Sequence, residues 1–288
     1  MSAPSPTDDG SVGGERLLGI LLVLPALATV ALLFLYPLSS SFVLAFADPA
    51  GGWSWANFHK AFELYGYDIG FTLVIVGLSV AWVALLSVAI GGYLTLGECA
   101  PAVAALRWLY RWPLFIPFIV AAQTMRSFLA KNGLMNHALT GIGLIEPIQA
   151  QSLLDWRGVV VTFVWKQTPF VALMVAGAMA SLDRSLTEAA RNLGAGRLRI
   201  LMGIVLPLVR QPLLVGLVLS FVTMMSVLSV PVMINAGSPT LITVDMAFRI
   251  TAYGDYPVAN ALGTISCLMT GAVAWIYLRH GVRRGGGT

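Results

Sequence analysis

Charge is scarce in this chain: only 10% of its 288 residues are Asp, Glu, Lys or Arg, against about 25% in an ordinary soluble domain. With 58% hydrophobic residues and a mean hydropathy of +0.83, that scarcity excludes a soluble globular protein, because so much apolar surface has to meet something other than water. Histidine and cysteine are scarcer still. His59, His137 and His280 each stand alone, with no second His or Cys at ligand spacing, so no metal centre is expected. Cys99 lies in a short polar break and Cys267 in an apolar run, and two such cysteines make no disulfide framework. HExxH, GxSxG and the P-loop pattern are all missing, which leaves no catalytic residue to name and no nucleotide fold to power the chain. A net charge of +4 and a pI near 9.3 would suit nucleic acid, but the basic residues lie between apolar runs instead of on one soluble face, so no nucleic-acid partner is expected.

What is present is a series of long apolar runs. Six meet the requirement of roughly 20 residues for a membrane-spanning helix: Leu17–Phe46, Ile69–Gly97, Trp108–Ala130, Gly158–Ser181, Ile204–Ile234 and Pro257–Leu278. The expected class is an all-α membrane protein, with a disordered polar tail over 1–15, a six-helix domain over 16–280 and a short tail over 281–288. Pro113, Pro117, Pro169, Pro212 and Pro231 predict kinks in or near the spans. Arg16, Arg107, Arg111, Arg184, Arg191, Arg197, Arg199, Arg210, Arg279, Arg283 and Arg284 fall on one side of this topology. Lys60, Lys131, Arg157 and Arg249 fall on the other. The bias places both termini in the cytoplasm. On the outer side, Trp53–Leu64 predicts an amphipathic interfacial helix, and Asn132–Trp156 a long loop that dips back toward the membrane or serves as a platform for a partner.

The densest charged stretch interrupts this pattern between the fourth and fifth spans: SLTEAARNLGAGRLRILMGIVLPLVRQPL, Ser185 to Leu213. Ser185 and Glu188 form an S-x-x-E capping box that predicts a helix start. Leu186, Ala189, Ala190 and Leu193 recur at helical spacing as a thin apolar stripe suited to a groove on another protein. Gly194 predicts the helix stop, and Pro207 the start of the next span. Glu188-Ala189-Ala190, then Gly194 after three residues, then Ile204, Leu206 and Pro207 after nine more, make up a spaced pattern that a capped surface helix alone does not require.

With every position filled, this pattern resembles the signature cytoplasmic loop of permease subunits in binding-protein-dependent ABC importers, and the resemblance covers the chain beyond about Arg16. It implies the type I importer permease fold in a bacterial plasma membrane, with a coupling loop over 182–206. It also implies that Glu188, Ala189, Ala190, Arg191, Leu193, Gly194, Ile204, Leu206 and Pro207 connect the chain to an ATPase. The implied partners are an ATPase subunit dimer that binds ATP-Mg, a second permease, an external solute-binding protein and membrane lipid. The chain itself then needs no cofactor and is not an enzyme.

Within that family, Arg126 followed by Asn132, Gly133 and Asn136 resembles the polyamine, opine and phosphonate branch, and sugar-type permeases share an NGxxN-like stretch. Polar residues inside spans are candidates for the solute path because burying them in lipid is costly: Gln123 and Arg126 on one face of the third span, Trp165, Lys166 and Gln167 in the fourth, and Asn235 after the fifth. The competing role for Arg126 and Lys166 is structural, by snorkelling or by pairing with Glu146 or Asp155. None of the six spans holds Asp or Glu, which counts against an ion-coupled secondary carrier as the alternative.

Overall fold

A computed structural model describes residues 21–48, 51–235 and 237–281. The expected tail over 1–15, the start of the first span and residues 282–288 lie outside the described residues. The chain is helical, and its one β-bridge among the described residues joins Ala47 to Trp53.

Among the described residues, five helices are long and apolar enough to cross a membrane: α1 (Leu21–Ala45), α2 (Ala56–Leu96), α6 (Trp156–Ala180), α8 (Arg197–Ser226) and α11, which runs Tyr256–Gly281. The third predicted span is not one straight helix. Its residues form α3 (Ala100–Leu109), a 3₁₀ turn at Trp112–Phe115 and α4 (Phe118–Leu129), with a bend of 110° at the break. The cause is the sequence WPLFIP. Pro117 forces Ile116 into extended backbone, φ −87 and ψ 124, and itself caps α4. If this bent pair counts as one crossing, the spans number six.

The other boundaries shift as well. Trp53–Leu64 is not a separate interfacial helix. Its residues from Ala56 onward are the first turns of α2, whose 41 residues reach about 60 Å, twice the hydrocarbon thickness. Phe46, Trp53, Trp55 and Phe58 cluster where α1 meets α2. The buried Asn57 Nδ2 donates to the Ala45 and Ala47 carbonyls at the end of α1. Beyond α4, the predicted long loop contains α5 (Leu134–Gly141). Its base is closed by Asn136, whose Nδ2 donates to the carbonyls of Ala130, Lys131 and Gln151 at 3.2, 2.9 and 2.8 Å. A Cβ at Gly133 would lie 2.5 Å from the Phe128 carbonyl and 2.6 Å from that of Ser127. The NG-x-x-N spacing is therefore the chemistry of a tight turn: a glycine where backbones touch and an amide that ties three carbonyls.

α6 is the central helix, packed by α2, α4 and α8 and more deeply buried than any other candidate span. Lipid offers no hydrophobic drive between helices, so close approach and small residues hold such a bundle. A Cβ on Gly91 would stand 3.1 Å from Met179 and Val175, and one on Gly92 2.7 Å from Leu201. The Gly91–Gly92 pair thus sets how closely α2 meets α6 and α8. Short helices α9 (Ser229–Ile234) and α10 (Ile242–Tyr253) lie at the end of the bundle opposite the charged loop.

Candidate functional site

The charged loop forms α7, nine residues from Arg184 to Asn192. Its amino-terminal cap is Asp183, whose Oδ1 accepts from the Ser185 N–H at 2.9 Å. That hydrogen bond holds the Asp183 carboxyl below its usual range. The expected Ser185–Glu188 capping box does not form. A carboxylate two residues earlier takes the orphan N–H, which leaves Glu188 facing a cavity instead of folding back on the helix start. Asp directly before the helical stretch was the legible signal for this cap.

The other end stops as the sequence predicts. Gly194 has φ +81; the Ala195 N–H donates to Ala190 O at 3.0 Å and the Gly194 N–H to Arg191 O at 2.9 Å. This is the paired-bond ending of a Schellman motif, and its left-handed residue favours glycine. A Cβ there would meet nothing within 4 Å, so glycine is required by the backbone and not by space.

Between these stops the apolar stripe divides. Ala190 is 8% exposed and packs into the core, whereas Leu186 is 46% and Leu193 88% exposed; Ala189 and Glu188 also face outward. Arg191 reaches the end of α2 and donates to Leu96 O at 3.4 Å. The result is a short, doubly stopped helix, anchored by one alanine, that offers two leucines and a small residue away from its own bundle.

The return into the membrane starts earlier than predicted. α8 begins at Arg197, whose guanidinium pairs with Glu98. Pro207 lies inside this continuous helix, directly after a π turn over Leu201–Val205 in which the Leu206 N–H reaches back to Leu201 O. The wider turn accommodates a residue with no N–H to donate. Ile204 packs partly against the core, Leu206 is half-buried and Pro207 is exposed.

The polar residues of the spans do not share one surface. Gln123 and Arg126 lie on one exposed face of α4, and Arg126 Nη1 donates to Met233 O near the end of α9 at 3.0 Å. Lys166 is buried in α6. Its ammonium donates to the carbonyls of Pro113 and Leu114 at 2.7 and 3.2 Å and sits 5.2 Å from the Phe118 ring centre. It thereby satisfies carbonyls exposed by the break between α3 and α4. Glu146 and Asp155 are not the partners of either cation; Asp155 caps α6 and holds Arg157 at 2.7 Å. Asn235 Nδ2 donates to Pro239 O at 2.8 Å. Trp165 is half-buried and Gln167 buried, both on α6.

A cavity of about 640 Å³ lies beside α7, between the end of α2, the α3 break and the end of α6. Among the described residues no three His, Cys, Asp or Glu side chains are grouped to hold a metal.

This arrangement of a helical bundle with a short outward-facing helix before its second-last long span coincides with a family match. The model of the binding-protein-dependent transport system inner membrane component matches residues 70–279. The chain belongs to this family.

This ABC importer permease is 26% identical to the sulfoquinovosyl glycerol transport system permease of Agrobacterium fabrum, over 92% of the chain and 91% of that relative. It is 25% identical to the spermidine/putrescine transport system permease of Salmonella typhimurium, over 73% of the chain and 74% of that relative. Its fold matches a chain in the crystal structure of a bacterial ABC transporter involved in import of the acidic polysaccharide alginate. The TM-score is 0.77 at 20% identity, covering 96% of this chain and 98% of the other. Sugar-type and polyamine-type relatives stand side by side, so the sugar reading is as good as the polyamine one.

Proposed function

We propose that this permease forms part of the path for a small polar solute across a bacterial plasma membrane, with both termini cytoplasmic. An external binding protein delivers the solute, and a separate ATPase dimer, holding ATP-Mg, supplies the energy. A second permease, identical or related, completes the path. A sugar-type solute is supported as well as a polyamine or phosphonate, and the chain itself makes no covalent step. α7 is the element that docks on the ATPase, with Glu188, Ala189, Arg191, Leu193 and Gly194 at the contact, Ala190 anchoring it to the bundle, and Ile204, Leu206 and Pro207 carrying its motion into α8. When the ATPase closes on ATP, the docked helix moves as a rigid piece and rocks the bundle.

One observation carries this reading: α7 is stopped rigidly at both ends while Leu186, Ala189 and Leu193 have been left outward. A helix that served only its own fold would bury that stripe. Gln123, Arg126, Trp165, Lys166, Gln167 and Asn235 remain the candidates for the solute path. Of these, Arg126, Lys166 and Asn235 each hold backbone carbonyls, whereas Gln123 is exposed on α4.

The test is purification of the tagged chain from its native membrane, mass spectrometry of what accompanies it, and transport by Glu188→Lys and Gly194→Asp. A stoichiometric ATPase and near-complete loss of transport at matched membrane level are expected. Normal transport by both variants would overturn the docking role of α7.

A further inference from the structure

The cavity beside α7 has an unusual charge. Arg107, Arg111, Arg184 and Arg191 line it, against only Asp183 and Glu188. Asp183 is already committed to its helix cap. The Arg107 and Arg184 guanidiniums have no hydrogen-bond or ion-pair partner among the described residues. Arg111 is oriented by Tyr110, which is buried: its Nε donates to the phenolic oxygen at 3.3 Å and its guanidinium carbon lies 5.6 Å from the ring centre. Several positive groups brought to one concavity repel one another, which is a standing cost unless an anion enters.

The depth of the cavity narrows the identity of that anion. Trp108 and Trp112 follow Arg107 and Arg111 directly in sequence, are 63% and 55% exposed, and stack edge to face with centroids 4.7 Å apart. Exposed tryptophans beside arginines mark the level of lipid headgroups. Leu94 and Leu173 supply apolar wall to the same cavity, and basic pockets between membrane helices suit phosphate headgroups. Guanidinium forks match phosphate oxygens in pairs.

We propose that this cavity binds a phosphate-bearing anion, presented by an anionic phospholipid of the leaflet that faces α7. The site lies where α3, α6 and α7 converge, so its occupant bridges the broken span to the helix proposed to meet the ATPase. The site itself does not depend on that docking role.

The test uses the full chain with whatever subunits co-purify, in nanodiscs of phosphatidylcholine and phosphatidylglycerol in equal parts, followed by native mass spectrometry. Wild type retains phosphatidylglycerol, and Arg107→Gln/Arg111→Gln weakens its retention by about thirtyfold, on the basis of the attraction per basic side chain at a membrane surface. Arg157→Gln, at the opposite end, retains it fully, and Arg107→Lys/Arg111→Lys falls between. Inorganic phosphate titrated onto the detergent-purified chain separates the sources. Phosphate binding lost in the Gln variant, with no lipid retained by wild type, assigns the same cavity to a soluble phosphate. Equal lipid retention by wild type and the Gln variant, with no phosphate bound, overturns the proposal. Helical content and melting temperature are measured for each variant, and Arg107→Gln alone replaces the double variant if the latter misfolds.

Discussion

At the end of the bundle away from α7, a group of charges is matched within the chain. Asp255 accepts from Lys60 at 2.8 Å and pairs with Arg249 at 3.4 Å. Arg249 also donates to the Tyr65 hydroxyl at 2.6 Å and lies against the Tyr65 and Tyr253 rings. Asp68 Oδ1 accepts from the Thr240 N–H, and Asp245 Oδ1 from the Thr240 hydroxyl. At the α7 end, by contrast, Arg107 and Arg184 are exposed without partners among the described residues, and α7 turns two leucines outward. The first end is a lock made by one chain on itself, fixing α10 and the start of α11 against α2. The second is unfinished in isolation, as expected of a surface that meets other molecules. Residue type does not distinguish the two, since both use arginines and carboxylates; pairing geometry does.

The largest effect that would sharpen this contrast concerns Asp245. The residue is 7% exposed, and its Oδ2 has no hydrogen-bond partner among the described residues. Burial pushes its pKa up to about 6; the Thr240 hydrogen bond opposes this, nearby Asp68 adds to it and Arg249 offsets part of it. The folded state therefore holds a proton that the unfolded chain releases near 3.8. The stability this proton contributes is complete below that value and is lost as pH rises to about 6. The wild-type melting curve should lose about 3 kcal/mol across this window relative to Asp245→Asn. Parallel pH profiles for the two proteins would break the argument.

Asp255→Asn should come next, at about 2 kcal/mol, because it leaves Arg249 largely buried without its carboxylate. Burial raises the Asp255 pKa, but hydrogen bonds from Lys60 and the Val258 N–H, with the charges of Lys60 and Arg249, bring it below the usual value overall. Thermal unfolding in detergent at neutral pH measures the loss. The smallest effect belongs to the α7 end: Arg184→Gln should change the melting temperature by the equivalent of about 0.5 kcal/mol or less. A large loss there would mean that this end, too, is locked by its own chain.

Much of this was legible in one dimension. Apolar run lengths gave five long spans and the region of the sixth, and Gly194 marked the stop of α7 because few residues adopt its backbone there. The break in the third span was legible only as a kink. Pro113 and Pro117 announced it, but neither its 110° nor the role of Lys166, distant in sequence, in taking up the freed carbonyls is written in the local pattern. The Ser185 capping box failed because Asp183 competes for the same N–H, and local pattern alone does not rank two acceptors two residues apart. The carbonyl partners of Lys166 and Arg126 were not legible for the same reason: composition shows a costly charge in a span, and its partners lie far along the chain.

The sequence by itself therefore determined the membrane environment, the helical class and the charged loop with its family, because these follow from run length, periodicity and spacing. Only the tertiary structure decided which charges are satisfied, that the third span is broken and that four arginines meet in one cavity. Those are properties of groups brought together from helices far apart in the chain, and no local pattern encodes such distances.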